Sequence, residues 1–179
     1  MNNLLENKNL RLRAIEPEDM ELLYRWENDT SLWLHGASIT PFSRYIIKQY
    51  LIDAGQDLFE RKQLRLMIDA TESQKTVGTI DLYDFEPFHR RAGVGILIDT
   101  AYRHQGFGHE ALRLLENYCF TFLKLKQLYA VVSANNIKSI QLFEKTGYKR
   151  SGTLKAWLST GDSFTDSIFL QRINDNQKL

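Results

Sequence analysis

Gly95-Ile96-Leu97-Ile98-Asp99, carried through Thr100-Ala101-Tyr102 into Arg103-His104-Gln105-Gly106-Phe107-Gly108, sets the reading of the whole chain. The first residues form an apolar run that suits a buried strand. Over 105–123, Ala111, Leu112, Leu115, Tyr118, Cys119 and Phe122 recur at helical spacing. A strand therefore passes through a glycine-bearing turn into a helix. The first N–H groups of a helix lack internal partners and carry partial positive charge, so this junction is a candidate anion site. Glycines at 106 and 108 would leave that backbone uncovered, and Arg103 adds a charged donor. The alternative is a plain strand-to-helix turn, because the spacing is not that of a nucleotide P-loop or a Rossmann turn.

Working outward, residues 64–69, 76–85 and 91–99 read as strands, with Pro87 in the turn between the last two. Beyond the helix, 128–133 is a short apolar strand, and 136–145 is a helix stopped by Gly147. Strands over about 148–158 and 164–172 flank a Gly161-Asp162 hairpin turn. Toward the N-terminus, 9–15 alternates Leu10, Leu12 and Ala14 against Arg11 and Arg13, a half-buried strand. Pro17, Glu18 and Asp19 then open a helix whose stripe is Met20, Leu22, Leu23 and Trp26. Residues 28–40 are irregular, Pro41 starts a second helix, and Gly55 ends it. The expected fold is α+β: one domain over 1–179, a mixed sheet of about seven strands and about four flanking helices.

Composition narrows the function classes. Hydrophobic residues make up 43% and charged residues 25% of 179, as in ordinary globular proteins. A formal net charge of +1 supplies no global field toward nucleic acid or membrane, so neither is an expected partner. Cys119 is the single cysteine, which precludes an internal disulfide and fits a reducing compartment. No apolar run approaches the roughly 20 residues of a membrane span, and residues 1–13 lack a secretory apolar stretch. The expected location is cytoplasmic. His35, His89, His104 and His109 have no metal-ligand spacing, so no metal is expected.

Arg103-x-x-Gly106-x-Gly108 after a strand resembles the acetyl-CoA motif of the GCN5-related N-acetyltransferase (GNAT) superfamily. The stretch 136–148, with Asn136, Ser139, Leu142, Phe143, Gly147 and Tyr148, is similar to the family's second motif. His89-Arg90-Arg91-Ala92 and Leu154-Lys155-Ala156-Trp157 look like the branch containing spermidine and ribosomal-protein N-terminal acetyltransferases. The resemblance covers about 9–172 and implies a GNAT fold and an acetyl-CoA-dependent N-acetyltransferase. It also implies a cofactor site. Ile96 and Ile98 would offer backbone groups to the pantetheine arm, and Arg103, His104, Gln105, Gly106, Phe107, Gly108 and His109 would take the pyrophosphate. Asn136 and Ser139, i and i+3 on one helix face, would both point at the cofactor. A helix N-cap for Asn136 and a solvated Ser139 are the plainer readings.

Two positions depart from the family pattern. Phe143 stands where relatives often carry a tyrosine that protonates the leaving thiolate, and Gly93 stands where many carry a glutamate. The remaining catalytic candidates are Ser139, Asp81 and Tyr83, the last two sharing a strand face by period two. Asp84, Glu86 and His89 lie close by in sequence. A lysine-like ammonium costs roughly 4.6 kcal/mol to deprotonate at pH 7, whereas a peptide α-amine costs about 1–1.4 kcal/mol. A base-poor site therefore favours a peptide N-terminus slightly over a polyamine or other small amine. On the acceptor side, Glu27, Asp29, Trp33, His35 and Trp157 are candidates, the acids for attracting an ammonium and the tryptophans for cation–π contact. A homodimer is the expected assembly. The competing reading, motivated by Phe143 and Gly93, is a non-catalytic acyl-CoA-binding module.

Overall fold

The computed structural model describes residues 3–33, 39–53 and 57–175. His35, Gly36 and Gly55 lie outside the described residues. Among the described residues, seven strands form one sheet in the order β1-β2-β3-β4-β5-β7-β6. They are β1 Leu10–Arg13, β2 Leu64–Ala70, β3 Lys75–Glu86, β4 Arg91–Ile98, β5 Gln127–Ser133, β6 Lys149–Ser159 and β7 Phe164–Ile173. Six α-helices accompany them among the described residues: α1 Met20–Glu27, α2 Thr30–Trp33, α3 Arg44–Asp53, α4 Leu58–Arg61, α5 Phe107–Thr121 and α6 Ile137–Lys145. The mixed α+β class is as expected, but the helix number is not. The two additional helices, α2 and α4, span four residues each, too short to carry a 3.6-residue pattern. The segment opened by Pro17 starts as a 3-10 turn, Pro17–Asp19, before α1 begins. No helix among the described residues is long and apolar enough to cross a membrane.

The two faces of the sheet are packed unequally. One carries the main core, where Leu66, Ile68, Ile80, Leu82 and Val94 meet Ala111, Leu112 and Leu115 of α5 and Ile140 and Phe143 of α6. The other carries a smaller cluster, Leu23 and Trp26 of α1, Ile47 of α3 and Met67 of β2. A buried ion network fixes the start of α1 to the sheet. The Arg13 guanidinium donates to both Asp19 oxygens at 2.7 and 2.9 Å and to Asp69 at 2.6 Å. Phe122 was expected on the α5 stripe but is 64% exposed, because it follows the last helical turn and stacks on Tyr118 at 5.5 Å.

Strand register creates the site. All neighbouring pairs are antiparallel except β4 with β5. That parallel pairing covers only Arg91, Ala92 and Gly93 against Gln127, Leu128 and Tyr129. Residues 94–98 keep their β3 partners and 130–133 keep their β7 partners, but the two stretches do not pair with each other. The sheet thus opens into a wedge with its apex at Gly93 and Tyr129.

Candidate active site

Ladder alternation decides which backbone groups face the wedge. The Asp99 N–H donates to the Val77 carbonyl at 2.9 Å, so odd-numbered β4 residues bond to β3. The even-numbered ones, including Ile96 and Ile98, turn their N–H and C=O groups into the gap. The Ile98 carbonyl is occupied by the Arg103 Nε at 3.0 Å. On the facing strand, Ala134 N–H donates to Asp166, which by the same alternation turns Val131 and Ser133 toward the gap.

The wide end of the wedge meets the start of α5. Gly106 caps this helix at φ +87°, a left-handed conformation in which any Cβ is strained. His104, at φ +64°, also takes that conformation. Among the described residues, no hydrogen bond engages the backbone N–H groups of Gly106, Phe107, Gly108 or His109. The two glycines act differently. A Cβ at 106 would meet nothing within 4 Å, whereas one at 108 would lie 3.1 Å from Leu142 Cδ2. Gly108 is therefore small because α5 packs on α6, a correction to the idea that both glycines simply uncover the backbone. The Phe107 ring likewise packs on the core, and Gln105 Nε2 reaches Ala101 O only at 3.5 Å. His109 Nδ1 lies 3.3 Å from Thr146 Oγ1, joining the start of α5 to the end of α6.

Across the opening, Asn136 is the N-cap of α6 and its Oδ1 accepts from Ser139 N–H at 3.2 Å. The plain capping reading is thus real for its oxygen. Its Nδ2 has no partner among the described residues. Ser139 is half-buried one turn in. A cavity of about 220 Å³ lies beside Leu97, Ile98 and Arg103, walled by Arg25, Trp26 and Asp29. Its floor is fixed by Asp99, whose Oδ2 accepts from Trp26 Nε1 at 2.9 Å and Arg25 at 2.6 Å, while Oδ1 accepts from Ala101 N–H. Burial alone would raise the Asp99 pKa, but these hydrogen bonds and the Arg25 charge hold it below the usual carboxylate value.

The catalytic candidates separate. Asp81 is clamped by Arg65, with Nε to Oδ1 at 2.6 Å and Nη2 to Oδ2 at 3.1 Å, and Arg65 also donates to Glu27 at 2.5 Å. Burial pushes the Asp81 pKa up and the guanidinium opposes it. A carboxylate so held is a structural partner rather than a mobile base, which corrects its expected role. Arg65, missed from sequence, joins two acids from different elements. Its signal was its cross-strand pairing with Asp81. Tyr83 lies over Gly93: a Cβ there would fall 2.2 to 2.7 Å from the tyrosine ring. Its ring also meets Tyr129 edge-on at 5.8 Å. Burial pushes the Tyr83 hydroxyl up to about 12, which unsuits it to act as a base. Phe143 is 2% exposed and packs edge-on against Tyr148. Cys119 is buried, which raises its thiol pKa far above any nucleophilic range.

The acceptor candidates do not converge. Glu27 is held by Arg65, Asp29 accepts from Ser31 Oγ at 2.6 Å, and Trp33 Nε1 donates to the Glu27 carbonyl at 2.8 Å. These three cluster at the end of α1 and in α2. Trp157 is 58% exposed on the edge strand β6 and belongs to a different part of the sheet. Asp84, hydrogen-bonded by Tyr129 Oη at 3.4 Å, and Glu86 line a second cavity of about 380 Å³ below the wedge apex. Among the described residues, no group of three or more His, Cys, Asp or Glu side chains could hold a metal.

A backbone gap that ends on an uncovered helix N-terminus suits an extended carrier with an anionic head. Comparison with known proteins agrees with that chemistry. Residues 9–149 match the family model described as an acetyltransferase (GNAT) domain. The spermidine N(1)-acetyltransferase of Escherichia coli (strain K12) is 27% identical over 145 residues, 81% of this chain and 75% of that protein. An uncharacterized N-acetyltransferase of Bacillus subtilis (strain 168) is 27% identical over 169 residues, covering 93% and 94%. In three dimensions, the spermidine N-acetyltransferase of Vibrio cholerae in complex with CoA and spermine superposes with a TM-score of 0.84 at 20% identity, covering 93% and 96%.

Proposed function

The chain belongs to the GNAT acetyltransferase family, and on that premise we propose that its β4–β5 wedge carries acetyl-CoA and delivers the acetyl group to a small primary amine. The carrying observation is the wedge itself, which runs from the backbone of Ile96 and Ile98, left without a β5 partner, to the N–H groups at Gly106 through His109, which have no partner among the described residues. The pyrophosphate sits on those N–H groups, with Arg103 swinging from the Ile98 carbonyl to meet it. The pantetheine amides pair with Ile96 and Ile98, and Asn136 Nδ2 steadies the arm from α6. The activity transfers acetyl to nitrogen and releases CoA thiol.

The expected preference for a peptide N-terminus gains no support, and the relative named for a substrate acts on spermidine. A small polyamine-like acceptor therefore comes first, with a peptide α-amine second. In favour of a cation, Glu27, Arg65 and Asp81 together carry one net negative charge when both acids are ionised, on the α1 side of the sheet. A homodimer remains part of this reading, as does a single domain over the whole chain.

The test is thiol release from acetyl-CoA across a panel of spermidine, spermine, a peptide with a free α-amine and simple alkylamines. Turnover on one or more amines is expected, fastest on a polyamine. Tight CoA binding without turnover on any of them would favour the non-catalytic module that Phe143 and Gly93 first suggested.

A further inference from the structure

We infer that the Tyr83 hydroxyl hydrogen-bonds the sulfur that departs during acetyl transfer, from the volume that residue 93 leaves empty. The inference rests on the acetyl-transfer reading above. At the wedge apex, β4 ends its pairing with β5 at Gly93, and no Cβ fits there because the Tyr83 ring lies against the backbone. The missing side chain at 93 and the tyrosine on β3 are therefore one arrangement: the first makes room for the second. The ring crosses Gly93 of β4 and meets the Tyr129 ring of β5, at the last paired position, edge-on at 5.8 Å. It thus stands between the two strands, where an arm laid along Ile96 and Ile98 would end.

The chemistry fits a donor. The amine nitrogen attacks the thioester carbonyl carbon, a C–N bond forms, and the C–S bond breaks with its electron pair on sulfur. One proton leaves nitrogen for solvent and one reaches sulfur from water. Tyr83 keeps its own proton, because a hydroxyl pushed up to about 12 by burial is a far weaker acid than a thiol near 8.5. It stabilises the charge on sulfur as an oxyanion-type donor does. Tyr129 from β5 and Asp84 from β3 push its titration further up and the Val131 N–H pulls it down, while a charge on Tyr83 would raise Tyr148 in turn. Asp81 on the same strand face is already taken by Arg65. No such donor is available from Phe143.

Tyr83→Phe keeps the ring over Gly93 and removes only the oxygen. The variant should lose about 10²-fold in kcat on the best amine of the panel, with KM for acetyl-CoA within about twofold. An independent reading needs no acceptor: titrating CoA bound to the full-length protein, followed by thiolate absorbance, should give a thiol pKa about one unit higher in Tyr83→Phe than in the wild type. A lost hydrogen bond moves both readouts, whereas a purely structural role leaves the thiol titration unmoved. Unchanged thiol titration in the variant, with or without a fall in kcat, would overturn the inference and leave the acetyltransferase reading standing. Failure of the wild type to bind CoA would overturn that reading, and this inference with it.

Discussion

Gly106 and Gly108 are two residues apart and alike in sequence, yet they answer to different forces. Gly106 is held at φ +87° with open space around its α-carbon, while Gly108 is held small by Leu142. Replacing Gly106 by Asp should therefore act on the ligand. The αL backbone costs a residue with a Cβ about 1–2 kcal/mol, and a carboxylate at a helix N-terminus built for phosphate adds like-charge repulsion. CoA affinity should fall by roughly 10²-fold or more by calorimetric titration. Near-normal affinity would show that the pyrophosphate sits elsewhere. The motif was legible because it is local: glycine spacing, an arginine and a helix start are all neighbours in the chain. The Tyr83–Gly93 contact was not legible, because it depends on a hairpin register shifted by an irregularity between Tyr83 and Glu86. Residue identity alone offered Gly93 as a loss, and only the register shows what fills the space.

At the scale of elements, α1 reaches the site through one carboxylate. Asp99, 12% exposed, caps the turn that leads to the glycine loop and receives Trp26 and Arg25 from α1. Asp99→Ala should cost about 1–2 kcal/mol of unfolding free energy at neutral pH, from lost charge-assisted hydrogen bonds. The pH dependence has a definite sign. The folded Asp99 pKa lies below its unfolded value, so its stabilisation is complete above about 3.9 and fades as pH falls through the folded value. The gap between wild type and variant in urea unfolding should hold steady from about pH 7 to pH 5 and close below about pH 4. A gap that widened on acidification would mean Asp99 is not the group responsible. Asp69, also depressed, is common to both proteins and cancels. Long periodic elements such as α5 and α6 were readable from sequence to within a few residues. The four-residue α2 and α4 were not, since one turn holds no repeat. The joint between α1 and the turn at Asp99 was equally hidden, because it links residues 73 and 74 positions apart.

For the molecule as a whole, three residue pairs hold β4 to β5, and the two parts of the sheet are also joined at the apex by the contacts of Tyr129 with Tyr83 and Asp84 and on one face by the helices packed there. The wedge is a property of register, which no hydrophobic pattern encodes. The strands on either side of it were foreseen, but the place where their pairing stops was not. A ligand lying in the gap would supply the missing cross-strand partners and tie the two parts together. CoA at about 100 times its dissociation constant should add about 2.7 kcal/mol of stability. For a chain of this size that corresponds to a melting-temperature rise of about 5–10 °C. The location of the effect separates a wedge ligand from one that binds anywhere else. Amide exchange should slow at the gap-facing positions Ile96, Ile98, Val131 and Ser133 and at Gly106 through His109. The odd-numbered β4 amides, already bonded to β3, should change little in direct exchange. A rise in melting temperature with protection spread evenly over the sheet would show general stabilisation without a ligand in the wedge. Protection confined to the gap-facing set would place the cofactor arm between β4 and β5, because only a chain laid along those two strand edges can reach alternate amides on one of them and the helix start at its end.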